Sequence, residues 1–185
     1  FAGDKPEDEA IVAAGIRSGR RAPRNWAAPV RPVDVFDAKA DAVAALAAAG
    51  APVDNLQVSA EAPAWYHPGR SGSLRLGPKV VLAWFGEIHP GVLGKMDVRG
   101  PVVGFEAFLD RIPAPKRRKG AAKPYLVLSP FQPVERDFAF VIDAAVPAAD
   151  VLKAARSAHP DLIAEIRVFD VFAGGALEAG KKSLA

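Results

Sequence analysis

No cysteine occurs in the 185 residues. That removes disulfides, thiolate nucleophiles, iron–sulfur clusters and cysteine-ligated zinc together, and is compatible with a reducing compartment. Histidine is scarce, at 3 residues, and neither a His-Glu-x-x-His helix nor a pair of histidines four apart is present, so a metal centre lacks its ligands. No apolar run reaches the roughly 18 residues a membrane helix needs, and no charged-then-apolar leader precedes a small-residue cleavage site. Membrane contact and export are therefore not expected, and the reading is cytoplasmic. What is plentiful is apolar side chain, 50% of residues against 24% charged, with a mean hydropathy of +0.10. This composition belongs to a globular chain of one or two small domains, neither disordered nor fibrous. The first residue is Phe1 and the last six, Gly180 to Ala185, look like the opening of a strand, so a piece of a longer chain is expected.

The net charge of +3 is unevenly spread. Residues 1–110 carry 12 basic and 13 acidic side chains, residues 111–125 carry 6 and 0, and residues 126–185 carry 6 and 8. The excess sits in Arg111 to Tyr125, whose Pro, Gly and unpaired cations are those of an exposed connector. Contact with phosphates is open to it, but bulk charge does not establish RNA binding by the folded parts.

Periodicity gives the elements. Glu9 to Ser18 reads as a strand, followed by a basic, Pro-containing loop through Arg24. An Ala-rich helix starts at Phe36, with Asp37 as its cap, Val43, Leu46 and Ala47 on one stripe, and Gly50 just past its end. Asn55 to Ala60 alternates as a strand, and Gly72–Leu76 and Lys79–Phe85 form a hairpin about Gly77-Pro78. A short helix opens at Pro90 and runs to Met96, and Val102 to Leu109 is another strand. The first region is thus α+β on a mainly antiparallel sheet. Beyond the connector, Asp137 to Asp143 places Phe138, Phe140 and Ile142 on one face, with Phe138 in the core. Pro147 opens a helix striped by Ala148, Val151, Leu152 and Ala155, closed by His159-Pro160. Leu162 to Phe172 is a strand, Gly174-Gly175 a reversal, and Lys182 to Ala185 the next strand. The order β-α-β-β is the first part of a split βαβ, ferredoxin-like domain; lacking its remaining elements, it should leave Val151, Leu152 or Phe140 partly uncovered.

Catalytic signatures fail one by one. His67-Pro-Gly-Arg-Ser71 and Glu87-Ile-His-Pro-Gly91 read as turns. Gly69-Arg-Ser-Gly-Ser73 lacks the second Gly of a nucleophile elbow. Gly175-Ala-Leu-Glu-Ala-Gly-Lys-Lys182 nearly spells a phosphate loop, but Lys182 stands where Ser or Thr would hold Mg²⁺, and a strand follows where a helix is needed. It reads as a hairpin connection. Asp34 and Asp37, like Asp137 and Asp143, are simplest as caps and strand ends.

Several stretches then carry a resemblance. Val33-Asp-Val-Phe-Asp-Ala-Lys39, His67-Pro-Gly-Arg-Ser71, Trp84-Phe-Gly-Glu-Ile-His-Pro90, Phe105-Glu-Ala-Phe-Leu-Asp110, Ser129-Pro-Phe-Gln-Pro-Val-Glu-Arg-Asp-Phe-Ala-Phe140, and Val168-Phe-Asp-Val-Phe172 followed by Gly180-Lys-Lys-Ser-Leu-Ala185 occur in this order. Together they resemble the C-terminal part of the bacterial phenylalanine–tRNA ligase β subunit. The resemblance implies residues 1–112 as a catalytic-like but inactive class II synthetase module, 113–128 as a basic linker, and 129–185 as a partial ferredoxin-fold anticodon-binding domain.

It also implies a partner α subunit in an α2β2 heterotetramer, tRNA(Phe) as the RNA, and ATP with Mg²⁺ as cofactors of the whole enzyme, with none held by this stretch. No catalytic or metal residue carries over. A class II site uses an Arg after a Gly-rich strand, whereas Gly104 to Arg111 supplies a single Gly, so Arg111 receives no ATP role. Binding remains, and the residues available for tRNA are Arg136, Arg167, Lys181 and Lys182, with Phe138 or Phe169 as stacking platforms. The alternative is a generic RNA-binding or protein-interaction module without a synthetase role.

Overall fold

The computed structural model describes residues 3–5, 8–27, 29–114 and 125–185; residues 115–124 of the expected basic linker lie outside that set. The chain forms two compact units, Phe1–Ala121 and Ala122–Ala185.

The first unit opens with strand β1 (Val12–Ser18), then helix α1 (Val35–Ala48), strands β2 (Leu56–Ser59), β3 (Tyr66–Leu76) and β4 (Val80–Ile88), the one-and-a-half-turn helix α2 (Pro90–Lys95) and strand β5 (Val102–Phe108). The five strands make one sheet in the order β1-β5-β4-β3-β2, every neighbour antiparallel. Helix α1 lies across one face over β4 and β5. Its inward residues Ala38, Ala42 and Leu46 recur every four positions, as one face of a helix requires, and pack with Leu74, Leu82, Phe85, Val103 and Ala107. The Ala side chains let the helix approach the sheet closely, and fully buried Leu46 and Leu82 contribute about 1.5–3 kcal/mol each. The expected stripe is corrected at Ala47, which faces solvent.

The cap of α1 is also corrected. Asp34, not Asp37, is the N-cap: its side chain accepts from the amides of Phe36 and Asp37, while the Asp37 carboxylate accepts from the Asp34 amide at 3.0 Å. This reciprocal pair satisfies donors the first turn otherwise leaves orphaned. The Gly77-Pro78 hairpin is present, with Gly77 at φ 65°, a conformation that costs a residue with a Cβ.

The stretch His67 to Ser71, read as a turn, is instead an internal bulge of β3. The register jumps from Tyr66 opposite Ile88 to Ser71 opposite Gly86, so residues 67–70 loop past Glu87 alone. Pro68 has no amide to give the ladder, and a bulge is where a strand tolerates that. Arg70 closes the loop by donating to both oxygens of Glu87, at 2.5 and 2.8 Å.

The second unit consists of β6 (Phe140–Asp143), α3 (Ala148–Ala158), β7 (Val171–Ala173) and β8 (Lys181–Leu184). Its sheet runs β6-β8-β7, with β8 antiparallel to both neighbours. The β-α-β pair β6 and β7 is therefore parallel and split by the returning strand, the arrangement of a ferredoxin-like half. Gly174 and Gly175, at φ 94° and 62°, make the reversal after β7. The expected strand over Leu162–Phe172 shrinks to its end, because β8 is four residues long and pairs with Val171 to Ala173; just before it, the Phe169 and Asp170 amides both donate to the Ala185 carbonyl.

Leu184 alone is buried among the described residues of this unit. Phe140 is 49% exposed, and Val151 and Leu152 are half-buried. Phe138, expected in the core, is 65% exposed. Its ring stacks on that of Phe140 at 6.3 Å, but it precedes the strand, which begins at Phe140 and not at Asp137.

Candidate nucleic-acid interface

On the side away from α1, Glu106 of β5 accepts from Trp65 Nε1 at 2.9 Å and Tyr66 Oη at 3.0 Å, both on Oε1. Trp65, Trp84 and Phe108 follow edge to face, and the Arg111 guanidinium stands 4.0 Å over the Phe108 ring while donating to the Val81 carbonyl at 3.1 Å. Such contacts hold rings and strands in place. Burial first, and then Glu106, push the Tyr66 phenol well above its ordinary range, so it remains a donor and not a base.

His67 and His89 each accept through Nδ1 from the amide two residues on, Gly69 and Gly91, at 3.0 Å. His89 is thereby the N-cap of α2. Ser71 Oγ donates to the His67 carbonyl at 2.6 Å, away from either imidazole ring nitrogen. Among the described residues no group of three or more His, Asp or Glu is arranged to hold a metal ion. The near phosphate loop at Gly175–Lys182 is the connection from β7 to β8.

In the second unit the four cations named from the sequence do not form one cluster. Lys181 lies opposite Asp143 in the β6–β8 ladder, and its Nζ is 2.6 Å from Asp143 Oδ1. That hydrogen bond holds the Asp143 carboxyl below its ordinary range. Lys182, next along and so directed to the other face, bends its Nζ to the Ala144 carbonyl at 3.0 Å. Both ammonium groups are thus engaged where β6 ends and β8 begins.

Arg136 and Arg167 belong to the opposite end. Each precedes a parallel strand by four residues, β6 and β7 respectively, on the segments that enter beside Leu184. Arg136 is exposed and donates to the neighbouring Glu135 carbonyl at 2.8 Å, with no ion pair among the described residues; Arg167 is exposed and likewise has no ion pair among them. Phe138 and Phe169, 65% and 60% exposed, lie on the same two segments. Two guanidinium groups and two open rings at one sheet end can stack bases and meet phosphates. The sequence names all four residues; that Lys181 and Lys182 already hold partners within the fold is carried by strand register alone.

Residues 129–185 match the family model described as "Ferredoxin-fold anticodon binding domain", in agreement with the β6-β8-β7 order. Residues 2–109 match the model "Phenylalanyl tRNA synthetase beta chain CLM domain". The chain belongs to the phenylalanyl-tRNA synthetase β-chain family. Relatives of the same kind cover it from end to end. It is 57% identical over 185 residues to the phenylalanine–tRNA ligase β subunit of Rhodospirillum rubrum and equally to that of Paramagnetospirillum magneticum. Over 189 residues it is 54% identical to the β subunit of Brucella abortus. The match takes in all of this chain but only 23% of the first two relatives and 24% of the third. Within this synthetase β-chain family, the chain thus represents about a quarter of a subunit's length, built of mixed α and β structure with antiparallel sheets and a ferredoxin-fold anticodon-binding domain.

Proposed function

We propose that this chain is a non-catalytic part of a phenylalanine–tRNA ligase β subunit. Its first unit, 1–112, is an inactive class II synthetase-like module that supports the α subunit of an α2β2 enzyme. Its last, 129–185, grips the anticodon arm of tRNA(Phe), and the basic 113–128 joins them. The observation that carries this reading is the anticodon-binding match over a half-ferredoxin sheet; the segments that enter its two parallel strands each carry an exposed arginine and an exposed ring, Arg136 with Phe138 and Arg167 with Phe169. The whole enzyme would join phenylalanine to tRNA with ATP and Mg²⁺ in the cytoplasm. Neither Glu106, one oxygen of which already holds two donors, nor Arg111, engaged over the Phe108 ring, fits a role in holding those cofactors. Assignment to the C-terminal part of the subunit belongs to the same proposal, since the matched share fixes a length and not an end.

The experiment is tRNA(Phe) binding by the full-length β subunit assembled with its α partner. The double substitution Arg136→Ala with Arg167→Ala should weaken binding severalfold and flatten the dependence of log K on log salt by about 1.5, roughly 0.7 for each lost single-strand phosphate contact. Unchanged affinity and slope would contradict the anticodon-arm role. Failure of the subunit to assemble with α would remove the scaffold role.

A further inference from the structure

Between Glu9 and Asp34 the chain has no acidic residue and five arginines, Arg17, Arg20, Arg21, Arg24 and Arg31. A count over the whole first unit hides them, because Asp34, Asp37 and Asp41 follow directly. The structure shows which arginines those carboxylates neutralise. Arg17 holds Asp41 with two nitrogens at 2.5 and 2.7 Å. Arg31 holds Asp37 with two at 2.8 Å and reaches Asp34 at 2.9 Å. Arg21 has only a 3.4 Å approach to Asp37 and is 61% exposed. Arg20 and Arg24 are exposed and have no ion pair among the described residues. The charge left over therefore belongs to Arg20, Arg21 and Arg24.

The loop that carries them is held at its neck. The Arg21 amide donates to the Arg31 carbonyl at 3.1 Å and the Val33 amide to the Gly19 carbonyl at 3.0 Å, with Arg20 bridged to Pro32. At the tip, Asn25 Nδ2 donates to the Pro23 carbonyl and Asn25 Oδ1 accepts from Ala27, both at 3.0 Å. Trp26, beside this turn, is 99% exposed. A cavity of about 460 Å³ opens against the loop, lined by Arg17, Arg21, Asn25, Arg31, Asp37 and Asp41 among others. An indole left wholly in water contributes nothing to this fold, while a flat ring on the same loop as two guanidinium groups without an ion pair among the described residues, and a third held only at 3.4 Å, is the chemistry that stacks a base and neutralises its phosphates.

We infer that the loop between β1 and α1 is a second RNA contact of this protein, with Arg20, Arg21 and Arg24 on phosphates and Trp26 stacked on an unpaired base. The inference rests on the tRNA-binding reading above and places a contact in the first unit, where that reading has only scaffold. The preformed neck lowers the ordering cost that a free basic tail would carry on binding.

The test is binding of tRNA(Phe) transcript to the full-length subunit in its complex, across a salt series, for Arg20→Gln with Arg24→Gln and, separately, for Trp26→Ala. The Arg136→Ala, Arg167→Ala protein runs alongside. The side chains removed have no hydrogen bond or ion pair among the described residues, so thermal midpoints should stay put and confirm intact protein. The double Gln variant should bind about three- to tenfold more weakly with a slope shallower by roughly 1.5. Trp26→Ala should weaken binding about fivefold or more with the slope kept, since stacking carries no counterion. Arg20→Lys with Arg24→Lys should restore the slope. If the loop variants bind like wild type while the Arg136, Arg167 protein weakens, the inference is wrong and the anticodon reading stands. If no tRNA is bound by any form, both fall. If tRNA binding is kept and capture of the α subunit is lost, the loop is a protein contact and the RNA assignment is overturned.

Discussion

Arg31 meets Asp37 fork to fork, Nη1 on Oδ2 and Nη2 on Oδ1, each at 2.8 Å, and so ties the end of the β1–α1 loop to the first turn of the helix. The same Asp37 oxygen that takes Nη1 also accepts the Asp34 amide. One carboxylate, 9% exposed, thus serves the helix start and the loop neck together. Charge-assisted bidentate contacts of this kind are the stronger ones.

The first prediction concerns pH. Hydrogen bonding from Arg31 holds the Asp37 carboxyl below its ordinary 3.8, against the opposing effect of burial. A depressed carboxyl stabilises the fold fully above its unfolded value and loses that contribution as pH falls through the folded one. Asp37→Asn should therefore be less stable than wild type at about pH 6, with the gap closing below about pH 4 as the wild-type group protonates. Urea unfolding of the two proteins at both pH values measures it; a gap independent of pH would show that the charge is immaterial.

A second prediction contrasts two glycines. At Gly86 an added Cβ would lie 2.4 Å from Ser71 Cβ and 2.8 Å from Ser71 Cα, whereas at Gly94, inside α2, nothing lies within 4 Å. Gly86→Ala should cost about 2–4 kcal/mol, because both strands of the bulge must part. Gly94→Ala should be neutral or stabilise by up to about 1 kcal/mol through helix propensity. Thermal denaturation of the pair decides it, and equal midpoints would mean that the bulge yields freely.

How far the sequence discloses this structure depends on the reach of each signal. The hairpin at Gly77-Pro78, the Pro90 helix start and the β-α-β-β order come from local chemistry and appear in place. Asp37 was read as a cap because an aspartate precedes the apolar stripe, but Asp34 and Asp37 are three apart and both serve; which is the cap depends on where the extended Pro32-Val33 ends. His67 to Ser71 has the composition of a turn and becomes a bulge only because β4 continues opposite it. Phe138 fits strand alternation in the sequence, yet β6 begins only at Phe140, and its exposure is a tertiary fact. The pairing of Lys181 with Asp143 spans 38 residues and leaves no mark at short range. The Arg20 to Trp26 cluster was hidden by averaging, since a segment count sums charges that the fold keeps apart.

If the five-stranded sheet supports a synthetase without doing its chemistry, as proposed, the Glu106 carboxylate on the face away from α1 is dispensable to the reaction. Glu106→Gln keeps an acceptor for Trp65 and Tyr66 while removing the charge. The direct measurement is phenylalanine-dependent ATP–pyrophosphate exchange by the assembled ligase carrying that substitution. A rate within about twofold of wild type is expected. A loss of about a hundredfold or more, of the size expected when an acid–base group is removed, in a protein that still folds and binds tRNA, would show a working catalytic carboxylate and contradict the claim.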